Sequence, residues 1–221
     1  MGYLLKFSGA YASGAGVTIL LSLLSVILGF ILGLFTSLAK LSNNKLLNTI
    51  SNTYIEVIRG TPLMVQIVII GLSVPSILKY PDFFGLGSEF TAGIIALTLN
   101  SGAYIAEILR SGIQSINKGQ VEASRSLGMS YWQSMRYVII PQAIKNILPA
   151  LGNEFITLIK ESAIVCYIGI TDIMFVAGSV KNSTYKFFGP YLLAAAIYFI
   201  ITFTLSRVLR IFEKRMSRGL R

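Results

Sequence analysis

The chain contains no histidine and a single cysteine, Cys166. The first absence removes imidazole acid–base chemistry and most zinc sites. The second leaves no internal disulfide, and with it no case for an oxidised extracellular domain. Charge is scarce too: Asp, Glu, Lys and Arg make up 13% of the 221 residues, where soluble domains carry about a quarter. There is no glycine-rich phosphate loop, and no carboxylates stand at metal-ligand spacing, so a membrane enzyme is disfavoured. No metal site is expected. The net charge of +10 does not read as a nucleic-acid surface, because the basic residues border apolar runs instead of covering one face. The opening MGYLLKFSGAYASGAG has only Lys6 as a positive region, and the apolar run after it is too long for a signal core.

What the chain has is apolar length. Hydrophobic residues make up 54% of it and the mean hydropathy is +0.71. A bilayer-crossing helix needs about 20 mostly apolar residues, and five such stretches occur, at about 17–39, 53–77, 90–109, 144–168 and 188–209. The expectation is an all-α membrane protein, a single transmembrane domain over 1–221 with its termini on opposite sides. With the N-terminus outside, the inner segments hold Lys40 and Lys45, then Arg110, Lys118, Arg125 and Arg136, then Arg207, Arg210, Lys214, Arg215, Arg218 and Arg221. The outer segments hold only Lys6, Lys79, Lys181 and Lys186. Twelve basic residues against four put the C-terminus inside.

Charges within spans need reasons, since each costs about 2.5–3.5 kcal/mol at the bilayer centre. Glu56 and Arg59 stand three apart and are expected to pair, with a break following at Gly60-Thr61-Pro62. Glu107, near the inner end of the third span, reads as structural or as part of a gate. The fourth span is the least apolar. Asn153, Thr157, Lys160 and Ile164 recur at helical spacing, with Glu154 and Glu161 on an adjoining stripe. Such a face must meet protein or a water-filled cavity. An internal ion pair of Lys160 with either Glu161 or Glu154 would satisfy it by packing alone.

Between the third and fourth spans lies EASRSLGMSYWQSMRYVIIP, Glu122 to Pro141. Leu127, Tyr131, Met135 and Val138 recur with helical period, which describes an amphipathic helix with a turn at Gly128. Taken by periodicity, it is a helix on the lipid headgroups anchored by Trp132 and Tyr137. The spacing says more. Glu122-Ala123-Ser124, three residues, Gly128, nine residues and Val138-Ile139-Ile140-Pro141 resemble the cytosolic signature of the permease subunits of ATP-binding-cassette (ABC) importers. Ser124, Val138 and Ile140 stand where that signature has Ala, Ile and Leu. EVIRGTPLMVQ (56–66), NSGAYIAEILRSGIQSINKGQ (100–120) and NEFITLIKESAI (153–164) are similar to the polar amino acid uptake branch. The resemblance covers Thr18 to Arg210.

The resemblance implies the type I importer permease fold in a bacterial plasma (inner) membrane. It implies a second permease subunit, expected as a homodimer, on two cytosolic ATPase subunits fed by an extracytoplasmic solute-binding protein. This chain would be non-catalytic and hold no cofactor, the ATPase binding ATP and Mg. The segment 118–141 would couple the two, with Glu122, Ala123, Ser124 and Gly128 at the docking surface. Asn100, Asn153, Glu154, Thr157, Lys160 and Glu161 would bind the amino acid, because a zwitterion needs an anion for its ammonium and a cation or N–H donors for its carboxylate. The branch often has Lys-Asp-Thr-Ser where this chain has Lys160-Glu161-Ser162-Ala163. The additional carboxylate of Glu154 tilts the expectation to a basic amino acid, with glutamine, glutamate or a cystine-like solute as alternatives. A passive channel would explain a polar face but not the docking segment, and nothing resembles a selectivity filter.

Overall fold

The computed structural model describes residues 6–82 and 85–218, with side chains through Lys214. Arg221 and the side chains of Arg215 and Arg218 lie outside the described residues. All the described elements are helices: α1 (Ser8–Lys40), α2 (Lys45–Gly60), α3 (Leu63–Val68), α4 (Ser88–Gln114), α5 (Lys118–Ser126), α6 (Tyr131–Ser134), α7 (Ile140–Glu161), α8 (Ile173–Thr184) and α9 (Phe188–Arg218). A π turn at Ile69–Ser73 and a 3-10 turn at Val74–Ser76 extend α3. Another π turn, Met135–Ile139, joins α6 to α7, and a 3-10 stretch, Ser162–Ile168, follows α7.

Three helices are long and apolar enough to cross a membrane; the number is five if each of two bent pairs makes one span. The first, third and fifth expected spans fall within α1, α4 and α9. The second and fourth are not straight. The former begins earlier, at Lys45, and turns through 104° between α2 and α3; the latter turns through 49° into α8. The stretch around Lys181, expected to be an outer connection, is helical from Ile173.

Helix α1 is arranged inside out. It buries Thr18, Ser22, Ser25, Gly29, Gly33 and Ser37, and exposes Ile19, Leu23, Ile27 and Phe35. That suits lipid, where apolar side chains gain nothing by leaving the bilayer and close backbone approach holds helices together. A Cβ on Gly33 would stand 2.8 Å from the Gly102 carbonyl oxygen and from Ile105 Cγ2. Helix α4 forms the centre: 61% of its apolar window is buried, against 6% for α9.

The α2–α3 break shows how the chain bends without water. Pro62 has no N–H for the Ile58 carbonyl four residues back. Gln66 supplies the missing donor: its Nε2 donates to Ile58 O at 2.7 Å and to Thr61 O and Oγ1 at 3.1 and 2.9 Å. Its Oε1 accepts from Asn100 Nδ2 at 3.0 Å, fastening the break to α4. Gln66→Leu keeps the volume but leaves the Ile58 carbonyl and the Asn100 amide without these partners. At about 1–3 kcal/mol for each buried orphan, thermal unfolding in detergent should shift down by several degrees, and Gln66→Glu should not restore it, because a carboxylate accepts from Asn100 but cannot donate to Ile58 O.

Candidate functional site

Three helices bring polar groups to one place at the depth of the spans. Helix α2 delivers Arg59 in its last turn, α4 delivers Asn100, Ser101 and Tyr104, and α7 delivers Asn153, Glu154, Thr157, Lys160 and Glu161. Glu154 is half-buried, within electrostatic reach of Glu161, Ser101 and Arg59. The Ser101 hydroxyl is buried and lies beside the Glu154 carboxylate. Glu161 is half-buried with the Lys160 ammonium near it. Asn153 and Lys160 are exposed at the surface of the single subunit, and Thr157 is half-buried between them.

Two expectations are revised here. Glu56 and Arg59 form no ion pair within 4.0 Å among the described residues. Both are exposed, and the Arg59 guanidinium lies over the Tyr104 ring, 5.2 Å from its centroid. A planar cation gains more on an aromatic face than in a solvated i, i+3 pair. Asn100 is buried, and one of its amide donors is already used on Gln66, so it offers less to a solute than its depth suggested. Glu107 is held in ion pairs. It accepts from Lys40 Nζ at 3.2 Å and pairs with Arg110, tying the end of α1 to α4. Neither an internal Lys160–Glu161 nor a Glu154–Lys160 pair within 4.0 Å forms. Among the described residues no three His, Cys, Asp or Glu groups gather as a metal site.

The second region is the projection at the other end of α7. Asn117 caps α5, its Oδ1 accepting from Gly119 N at 2.8 Å. Gly128 then takes φ +84, with Gly128 N donating to Arg125 O at 3.0 Å and Met129 N to Ser124 O at 3.2 Å. These are the paired bonds of a Schellman stop, and they require the left-handed residue. A Cβ at Gly128 would meet nothing within 4 Å; its constraint is conformational. Ser130 and Gln133 close a reciprocal capping box that starts α6. That Ser-x-x-Gln pattern is legible in SYWQ. Glu122 and Ala123 face outward, and Leu127 beside them is 84% exposed. Ser124 does not: it is buried and donates to Val121 O at 2.8 Å, so it holds α5 from behind.

A half-buried polar face inside apolar helices, carried on the same rod as a rigid external projection, describes a membrane component that moves a solute and answers to a partner. Residues 25–218 match the family described as the binding-protein-dependent transport system inner membrane component, and the chain belongs to that family. It is thus a multi-pass protein of the inner membrane. It is 42% identical over 217 residues, 97% of either chain, to the putative glutamine transport system permease protein GlnP of Rickettsia typhi. To the arginine transport system permease protein ArtQ of Bacillus subtilis it is 39% identical over 92% of this chain and 91% of that one. A solved amino acid ABC transporter with histidines matches at 48% identity and a TM-score of 0.90, over 96% of this chain and 97% of its own.

The α5–α6 turn is directly testable. Gly128→Val places a β-branched residue in the left-handed region, at about 1–2 kcal/mol. Amide exchange at Met129 should accelerate roughly tenfold or more, with protection in α4 unchanged.

Proposed function

We propose that this chain is the membrane-spanning subunit of an ABC importer for a polar amino acid, with ATP and Mg held and hydrolysed by separate cytosolic subunits. The relatives named for glutamine, arginine and amino acid transport support the solute class. The observation that carries the reading is the α7 face, where Glu154, Thr157, Lys160 and Glu161 sit with Arg59 and Ser101. Both signs of charge stand there, as the two ends of a zwitterion require. Asn153, Lys160 and Arg59 are exposed on a single subunit at a depth where lipid would penalise them. A second copy of the chain covers them, and the solute crosses between the two. A solute-binding protein delivers it from outside.

Helix α5 and the Gly128 turn dock on the ATPase through Glu122, Ala123 and the protruding Leu127, while Ser124 supports them from within. On this reading the N-terminus is outside and the C-terminus inside, as the bias of basic residues supports. A cysteine at Asn43 should resist an impermeant thiol reagent applied to intact cells, in a Cys166→Ala background, while one at the exposed Ser183 reacts. Labelling at Asn43 from outside, with or without labelling at Ser183, overturns the orientation.

Within the amino acids we favour a basic side chain, on the two half-buried carboxylates Glu154 and Glu161. Glutamine is the second reading, favoured by the Rickettsia typhi relative. Uptake into proteoliposomes with saturating binding protein separates them. Under the basic reading, Glu154→Gln weakens arginine uptake by about 1.5–3 kcal/mol of apparent affinity, one charged hydrogen bond, and changes glutamine uptake much less. Equal loss for both solutes removes the basic preference. No loss for either, in well-folded protein, removes Glu154 from the site.

A further inference from the structure

A groove of about 880 Å³ opens on the α5–α6 side of the molecule, away from the polar face of α7. Its position is informative. Leu38 and Leu41 come from the end of α1, and Ile113 and Gln114 from the last turn of α4, so it lies where two spans leave the hydrocarbon. The floor is apolar. The rim is not: Lys118, Tyr131 and Trp132 stand there, and Lys118 is the one charged residue of the lining. Lys118 is exposed and makes no ion pair within 4.0 Å among the described residues. Tyr131 and Trp132 meet edge to face at 5.7 Å, with Trp132 78% exposed.

An apolar trough with amphipathic rings and one unpaired cation at its mouth, set at the membrane boundary, has the polarity profile of a phospholipid. The rings belong at headgroup level, the trough takes an acyl chain, and the ammonium selects against a headgroup with no net charge. We propose that this groove is a binding site for one anionic phospholipid of the inner leaflet, held by Lys118 and lying against Trp132. It wedges between α5 and the ends of α1 and α4, and so steadies the projection that α7 carries. The proposal rests on the importer reading only in assigning this end to the cytosolic leaflet.

Trp132 is the one tryptophan of the chain, so the site carries its own reporter. The full chain is reconstituted in phosphatidylcholine vesicles containing a minor fraction of acyl-brominated phosphatidylglycerol, or the same fraction of brominated phosphatidylcholine. Bromine quenches an indole only at contact range. Phosphatidylglycerol should quench Trp132 with about fivefold higher apparent affinity, the contribution of one cation at a membrane surface. Lys118→Gln should abolish that preference and leave quenching by phosphatidylcholine intact, while Arg207→Gln, remote from the groove, changes nothing. Equal quenching by the two lipids in the unaltered chain, or a preference that survives Lys118→Gln, overturns the proposal. So does relief of quenching on adding the ATPase subunits, corrected with Trp132→Phe, because the groove then belongs to a protein partner. None of these readouts needs transport or ATP hydrolysis, so failure here leaves the importer reading to its own uptake test.

Discussion

Backbone polar groups in hydrocarbon have no water to turn to, and this requirement explains the arrangement of the whole molecule. A chain that must bend in such a medium needs side chains to complete each bend. Gln66 does so below Pro62, supplying the donor that proline lacks and fastening the joint to Asn100. Asp172 does so at the second bend. Buried at the head of α8, it accepts from Phe175 N at 2.8 Å and from the Tyr198 hydroxyl at 3.0 Å, while Ile173 N reaches Thr18 Oγ1 at 3.4 Å. Both bends are therefore pinned to long helices, one to α4 and the other to α1 and α9. They are rigid joints.

Rigid joints decide how force can travel. From the capping box at Ser130 the backbone stays helical through α6, the π turn, α7 and the 3-10 stretch to Ile168. The polar face of α7 is thus part of the same rod whose near end carries the projection. The left-handed turn at Gly128 separates α5 from that rod, and the Schellman bonds fix its angle. Under the proposed coupling, displacement of α5 passes to Glu154 and Glu161 along this helix, with Pro149 inside it as the place where it can bend. At the same end, Glu107 holds Lys40 and Arg110, which ties the end of α1 to α4.

Much of this was legible in the sequence, and the rest divides by physical cause. Apolar length gave the spans, Gly-Thr-Pro gave the first bend, and the glycine spacing gave the turn at 128. Two further local signals are the Gly29-x-x-x-Gly33 pair that brings α1 against α4, and the Ser130–Gln133 box. Helix α8 escaped because twelve residues after a bend give too short a period, although Thr171-Asp172 before Ile173 has the form of a helix start. The Glu56–Arg59 pair failed for a reason no local rule contains: Tyr104, forty-five positions away, offers Arg59 a better surface. Likewise nothing local announced that Asn100 would be engaged by Gln66. Tertiary partners, not propensities, redistributed those polar groups.

The charges left over are those of the proposed solute site. Among the described residues, ion pairs within 4.0 Å form at Lys40–Glu107–Arg110 and nowhere on the α7 face. A static core would pair or exclude Arg59, Glu154, Lys160 and Glu161, since each unsatisfied charge at bilayer depth costs about 2.5–3.5 kcal/mol. Here they stand close but unclosed, half-buried or exposed, beside the buried Ser101 hydroxyl. Such an arrangement persists only where water, a second subunit or a passing solute completes it in turn. A permanently closed network would bind its own charges too well to exchange them for those of a substrate. Incomplete pairing on α7 is thus the physical counterpart of complete pairing at the bends: the joints are sealed, while the face proposed to carry the solute is not.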